Sequence, residues 1–334
     1  EGAISANYTY DSFSRMTGLT AKNGSTSVVN TAVTYVNPSS SATSTQVKTW
    51  NNGKATYTYT YDEKGNITSI TGGGQEFEYR YDKYGRLISA EDYPGGYVWT
   101  YTYDDGGNIT QRGLTDYYNN KNPNSILATY TYGNADWPDL LTAFNGKSIT
   151  YDAIGNPNNW RDGMTFTWQA GRQLATLQKG TTGISYTYSS DGTRLTKTVN
   201  GVKTSYTWDG AQLVSQTTTG GDTLYFTYHG DSRVAVEYKG NTYYYIYNLQ
   251  GDVVGLVNSS GTSVVSYTYD AWGNPESISG SMASTLGAAN PFRYRSYYFD
   301  TESGLYYLMS RYYDPVVGRF LNADSAISTG QGPI

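Results

Sequence analysis

The chain has no cysteine and a single histidine, His229. A disulfide framework, a thiolate nucleophile, a cysteine-ligated metal and an imidazole cluster are thereby excluded. Any Ser-His-Asp triad has to use His229, which stands in Tyr228-His229-Gly230-Asp231, where a turn is expected. Charged residues make up only 15%, and the net charge of −5 is spread without blocks. That leaves no electrostatic case for nucleic acid or for an anionic membrane surface. No apolar run reaches the roughly 18 residues of a membrane helix, so no membrane insertion is expected. Gly72-Gly73-Gly74 lacks the Lys-Ser/Thr pair of a phosphate loop, the spaced oxygen ligands of a calcium loop are missing, and no metal or other cofactor is expected.

What the chain does have is aromatic residues and glycine: 37 Tyr and 38 Gly among 334 residues. Aromatic and β-branched residues favour strands and glycine marks turns, so the composition is that of a sheet protein. The aromatics are ordered. Tyr59, Tyr61, Asp62 and Gly65 form a motif, Y-x-Y-D-x-x-G, followed by Asn66-Ile67. It returns as Tyr79, Tyr81, Asp82 and Gly85, as Tyr101, Tyr103, Asp104 and Gly107, and as Tyr267, Tyr269, Asp270 and Gly273. The second aromatic recurs at Tyr61, Tyr81, Tyr103, Tyr132, Tyr151, Trp168, Tyr188, Trp208, Tyr228, Tyr247 and Tyr269, mostly at intervals of about 20 residues. Two strands and two turns account for that length, so each unit reads as one hairpin.

Within Thr56–Tyr61 the aromatics alternate with threonines, which predicts one aromatic and one hydroxyl-rich sheet face. Asp62 starts the turn by accepting a backbone N–H two residues on, and Gly65 supplies a backbone conformation that a Cβ would hinder. Stacked aromatic ladders are expected to hold the sheet without a thick aliphatic core, each cross-strand pair adding roughly 0.2–1 kcal/mol. Some copies lose the acid: Tyr132 is followed by Gly133, Trp168 by Gln169 and Tyr247 by Asn248. The aromatics and the turn persist, so the repeat Asp reads as a turn residue rather than a catalytic one. Asn23-Gly24 and Asn52-Gly53 predict hairpin turns, and Asn37-Pro38 with the Ser/Thr run to Thr45 predicts a solvated loop.

Repeated in this way, the motif resembles the YD repeats of Rhs-family proteins. The resemblance covers nearly the whole chain. It includes the stretch from Pro291 into Arg311, Tyr312, Tyr313, Asp314, Pro315, Gly318, Arg319, Phe320 and Asp324, which is similar to the core-associated motif that ends such arrays. It implies an all-β fold of antiparallel β-hairpins in a long spiralling sheet, forming a hollow shell or part of one. Residues 1–290 are then the array, with 17–50 an enlarged hairpin and another insertion around Asp116 to Asn124. Residues 291–325 are the closing motif and 326–334 a truncated tail.

By the same resemblance the protein is a secreted, extracellular or cell-wall-associated scaffold, and its partner is an enclosed C-terminal toxin or plug. Open sheet edges point to an edge-paired oligomer as well. In self-cleaving relatives the acids of this region form an aspartyl-protease-like site. That carries over to Asp314 and Asp324, tuned by Arg311, although Ser325 stands where the family has proline. Against this reading, Arg293, Arg295, Arg311 and Arg319 match Asp300, Glu302, Asp314 and Asp324 in number and can lock them as ion pairs. A third reading makes Trp50, Trp99, Trp137, Trp160, Trp168, Trp208 and Trp272 a platform for cell-surface glycans. Those at repeat positions are expected to pack instead.

Overall fold

The computed structural model describes residues 4–37, 42–116 and 125–323. Asp324, the tail 326–334, part of the Ser/Thr loop before Thr45 and the insertion beyond Asp116 lie outside them. Among the described residues the strands form three antiparallel sheets of 13, 12 and 4 strands, and in each one every strand pairs with its neighbours in sequence. Contacts divide the chain into two compact units. The first runs to Ser148 and includes Ile246–Leu249 and Val257–Thr262, and the second comprises Ile149–Tyr245, Gln250–Leu256 and the chain from Ser263 on.

The repeat is a hairpin, as its spacing predicts. Thr56–Tyr61 pairs with Ile67–Gly72, which pairs in turn with Gln75–Tyr81. In Thr56–Tyr61 the three threonines are exposed while Tyr57, Tyr59 and Tyr61 are wholly or partly buried. On the exposed face threonines of adjacent strands bond in pairs, Thr167 to Thr176 at 2.6 Å and Thr187 to Thr196 at 2.7 Å. The strands described across residues 17–50, Met16–Asn23, Thr26–Tyr35 and Val47–Asn51, pair in sequence as part of the first sheet. Their turns lie slightly off the expectation. Gly24-Ser25 closes the first, between the paired Asn23 and Thr26, and the second uses the Asn52 carboxamide as acceptor for Lys54 and Ala55 N–H.

The motif Asp does more than the sequence suggests. Asp62 Oδ1 accepts from the backbone N–H of Lys64 at 2.9 Å and of Asn66 at 2.8 Å, and Oδ2 accepts from the Asn66 side chain at 2.8 Å. Asp82, Asp104 and Asp152 repeat the arrangement with Arg86, Asn108 and Asn156. Where the acid is absent another acceptor takes over, the Ser189 hydroxyl or the Asn258 carboxamide.

The pairing register slips by one residue at the second aromatic, as at Thr60/Tyr61, Arg80/Tyr81, Thr187/Tyr188 and Thr268/Tyr269. The extra residue of a bulge re-aims a side chain, and here it sends the ring back toward the preceding unit. Tyr61 donates to the carbonyl of Val47, Tyr81 to Ile67, Tyr103 to Leu87, Tyr188 to Leu174, Trp208 to Arg194 and Tyr269 to Val253, at 2.6–3.0 Å. Each acceptor lies at the start of the previous return strand. A donor is needed, which accounts for Tyr or Trp at this position in these copies and for the near-constant period.

The core departs from the aromatic-only expectation. Leu174, Leu177, Leu213, Val236, Leu256, Leu286 and Leu305 are buried beside the tyrosines of the second unit. A buried aliphatic side chain contributes roughly 1.5–3 kcal/mol, so these residues hold much of that unit.

Candidate functional site at the closing motif

The third sheet is short. Tyr298–Asp300, Leu305–Tyr307, Tyr312–Asp314 and Arg319–Phe320 pair in order. Its rings meet those of the long sheet of the second unit, Tyr298 on Tyr206 at 5.6 Å and Tyr312 on Tyr186 at 5.8 Å, and Phe292, just before the sheet, meets Phe226 at 5.0 Å. The motif also clasps the last repeat turn. Tyr306 donates to the Gly273 carbonyl and Tyr313 to that of Trp272, both at 2.8 Å. A Cβ on Gly273 would come within 2.3 Å of the Tyr294 ring.

Two acids of the motif are fully buried, and both are paired. Asp314 opens a turn in the manner of the repeat Asp, its Oδ1 accepting from Val316 N–H at 2.9 Å. Its Oδ2 accepts from Trp160 Nε1 at 2.8 Å and from Arg161 Nε at 2.6 Å. Burial works against the Arg161 charge, but Asp314 and Asp162 outweigh it and hold the guanidinium above its ordinary value. Asp300 accepts from Arg194 Nη1 at 2.6 Å and from Lys197 Nζ at 3.0 Å, and Lys197 also reaches Glu302 at 2.8 Å. Burial pushes the Asp300 carboxyl up, yet Arg194 and Lys197 prevail and keep it below the usual range. Burial pushes the Lys197 amine down, but Asp300, Tyr206 and Glu302 together hold it above its ordinary value. Tyr186, Tyr206, Tyr298 and Tyr307 place their rings 4.2–5.5 Å from the Arg194 guanidinium carbon.

The sequence matched these acids in number to the arginines of the motif itself. The structure instead brings Arg161, Arg194 and Lys197 to them, from more than a hundred residues upstream. Arg311 stacks on Phe320 at 3.8 Å. Arg293 donates to the Gly287 carbonyl at 2.7 Å and lies over Tyr267, and Arg295 stands 3.8 Å from Asp252. At the end of the described chain Asn322 donates to Asn156 Oδ1 at 3.1 Å, and Arg172 donates to the Ala323 carbonyl. Four of the tryptophans donate hydrogen bonds within the fold, while Trp137 is exposed. Trp168 and Trp208 donate to carbonyls at repeat positions, Trp160 to Asp314, and Trp50 to the Tyr247 carbonyl. No sequence signal marked Arg161, Arg194 or Lys197, because none sits in a motif position with a distinctive residue type.

An array of turn-capped, aromatic-faced hairpins, ended by a small sheet docked through buried ion pairs, defines a YD-repeat protein. Teneurin YD-shell proteins match residues 1–331, and the chain belongs to that family. It is 36% identical over 318 residues to tRNA3(Ser)-specific nuclease WapA of Bacillus spizizenii, covering 81% of this chain and 13% of that protein. It is 25% identical over 226 residues to double-stranded DNA deaminase toxin A of Burkholderia cenocepacia, covering 56% and 15%. The chain thus spans a small fraction of the length of these relatives. Among solved structures, the Photorhabdus luminescens Tc holotoxin pore superposes with a TM-score of 0.72 at 20% identity, over 98% of this chain and 18% of that one. The TcdB2-TccC3 protein without its hypervariable C-terminal region gives 0.69 at 19% identity, over 96% and 19%. The likeness to these structures is one of fold.

Proposed function

We propose that this chain is a wall segment of an encapsulating shell of a secreted bacterial toxin, and that it carries no catalysis of its own. The observation that carries the reading is the state of its acids. Those of the repeats cap turns, and Asp300 and Asp314 are buried in ion pairs. The relatives support it: one is named for cleaving tRNA and another for deaminating DNA, so a shared segment of 13–15% of their length is a poor candidate for either chemistry. On this reading the chain works outside the cell, and its partner is a toxin domain placed after the closing motif. The test is protease treatment of a full-length protein containing this segment, beside its C-terminal domain alone. The domain is expected to survive only in the full-length protein; equal digestion of both refutes encapsulation.

A second reading assigns Asp314 and Asp324, with Arg311, to cutting the chain after the motif. What favours it is the anchoring of Asn322 and Ala323 on Asn156 and Arg172, immediately before Asp324. With the downstream sequence present, this reading expects wild type to be cut and Asp324→Asn to stay intact. Equal processing of both rules it out.

A further inference from the structure

We propose that Lys197 and Asp300 condense into an intramolecular amide bond, with Glu302 carrying the protons and Arg194 holding the carbonyl oxygen. Amine and carboxylate already touch at 3.0 Å, with Lys197 5% and Asp300 0% exposed. A salt bridge needs nothing more. This site has two further parts that a salt bridge does not require. Glu302 Oε2 lies 2.8 Å from the same Nζ, a second carboxylate on the amine, and it is the member of the group that reaches partly to solvent. Arg194 Nη1 lies 2.6 Å from Asp300 Oδ2, the oxygen that Lys197 does not touch. The Tyr206 and Tyr298 rings lie over Arg194, and the Tyr298 ring over Lys197 as well, and the reacting pair itself is buried, a setting in which loss of water is favoured.

The steps balance without an added reagent. The cluster holds Lys197 protonated and Asp300 ionised at rest, so the reaction runs through the minor neutral pair, formed when Lys197 Nζ gives one proton to Glu302 and Glu302 passes it to Asp300 Oδ1. The freed lone pair attacks Cγ, and the carbonyl electron pair moves onto Oδ2 beside Arg194, where a positioned cation stabilises an oxyanion. Nitrogen then gives a second proton to Glu302, which delivers it to the Oδ1 hydroxyl. That oxygen leaves as water while the Oδ2 pair re-forms the carbonyl. An ammonium and a carboxylate become an amide and one water, and Glu302 ends as it began. The group holds two cations and two anions before and one of each after, so it stays neutral while two buried charges, costly to keep from water, disappear. Holding the partners in contact supplies the effective concentration that the bond lacks between free molecules.

The product ties the strand Arg194–Val199 of the long sheet to the strand Tyr298–Asp300 of the closing sheet. The measurement is the intact mass of the purified full chain, followed by peptide mapping. Wild type is expected to be lighter than its sequence by one water and to yield a branched peptide containing Lys197 and Asp300. Lys197→Arg is expected at full mass, and Glu302→Gln is expected to acquire the link about 10²-fold more slowly. Wild type at full mass with both peptides unlinked, or a water loss that hydroxylamine reverses, as it would a succinimide at Asp191-Gly192, overturns the proposal. A link formed equally fast in Glu302→Gln overturns the role of Glu302. The wild-type mass decides the main point even if a variant does not fold.

Discussion

At the scale of single residues, the second aromatic of each unit is a hydrogen-bond donor before it is a ring. Tyr81→Phe keeps the ring and loses the bond to the Ile67 carbonyl. It is expected to lower unfolding free energy by about 0.5–1.5 kcal/mol in a denaturant titration, while Tyr81→Trp is expected to lose less. The turn acids set a pH dependence. Hydrogen bonding to the Asn66 side chain leads the causes that hold the Asp62 carboxyl below its ordinary value. For Asp82, Asp104 and Asp152, burial pushes the carboxyl up, but bonds from Arg86, Asn108 and Asn156 outweigh it. A carboxyl depressed by folding stabilises above its unfolded pKa of about 3.9, and that contribution is lost as pH falls through the folded value. Thermal midpoints are therefore expected to hold above roughly pH 5 and to fall between there and pH 3. A midpoint that does not fall in that window would contradict the turn role. That the Asp belongs to a turn was legible from the copies that lack it; the return bond from position 66, 86, 108 or 156 was not, because Asn and Arg there look like ordinary polar residues.

At the scale of elements, turns that look alike in sequence are not alike in space. Gly107 and Gly273 fill the same motif position, with φ of +91° and +85°. A Cβ on Gly107 meets nothing within 4 Å, whereas on Gly273 it meets the Tyr294 ring. Gly107→Ala is expected to cost about 1 kcal/mol of backbone strain and Gly273→Ala about 2–4 kcal/mol, since the ring must also move. Paired equilibrium unfolding curves check the difference, and equal losses would mean that the last turn is not clasped. The hairpins, their faces and their order could be read from the two-residue alternation, because strand pairing here is between neighbours in sequence. The register slip at the second aromatic could not, since a bulge adds no residue type of its own.

At the scale of the whole chain, the closing motif is attached by charges that the sequence keeps far apart. Asp314→Ala leaves the buried Trp160 N–H without its acceptor and Arg161 with only the exposed Asp162 as partner, and is expected to cost about 3 kcal/mol. Arg311→Ala removes a stacking partner of Phe320 and is expected to cost less. Differential scanning calorimetry of the two variants tests the ranking. The motif was legible as a unit, and its acids as ion-paired, but not their partners. Contact between positions 194 and 300 or 161 and 314 leaves no periodic trace in a single sequence.

The backward reach of the aromatics also bears on how the chain is made. In the pairs described, the carbonyl acceptor precedes its donor: Val47 before Tyr61, Leu174 before Tyr188, Val253 before Tyr269. A chain that emerges from its N-terminus therefore presents each new hairpin to an acceptor already in place, so growth can proceed one unit at a time in the direction of synthesis. The step that has to wait is the last, when Asp300 and Asp314 arrive at cations that were synthesised long before them. Arg194 and Lys197 therefore wait for Asp300, and Arg161, which has Asp162 beside it from the start, waits for Asp314, so the neutralised cluster marks the docking of the closing motif.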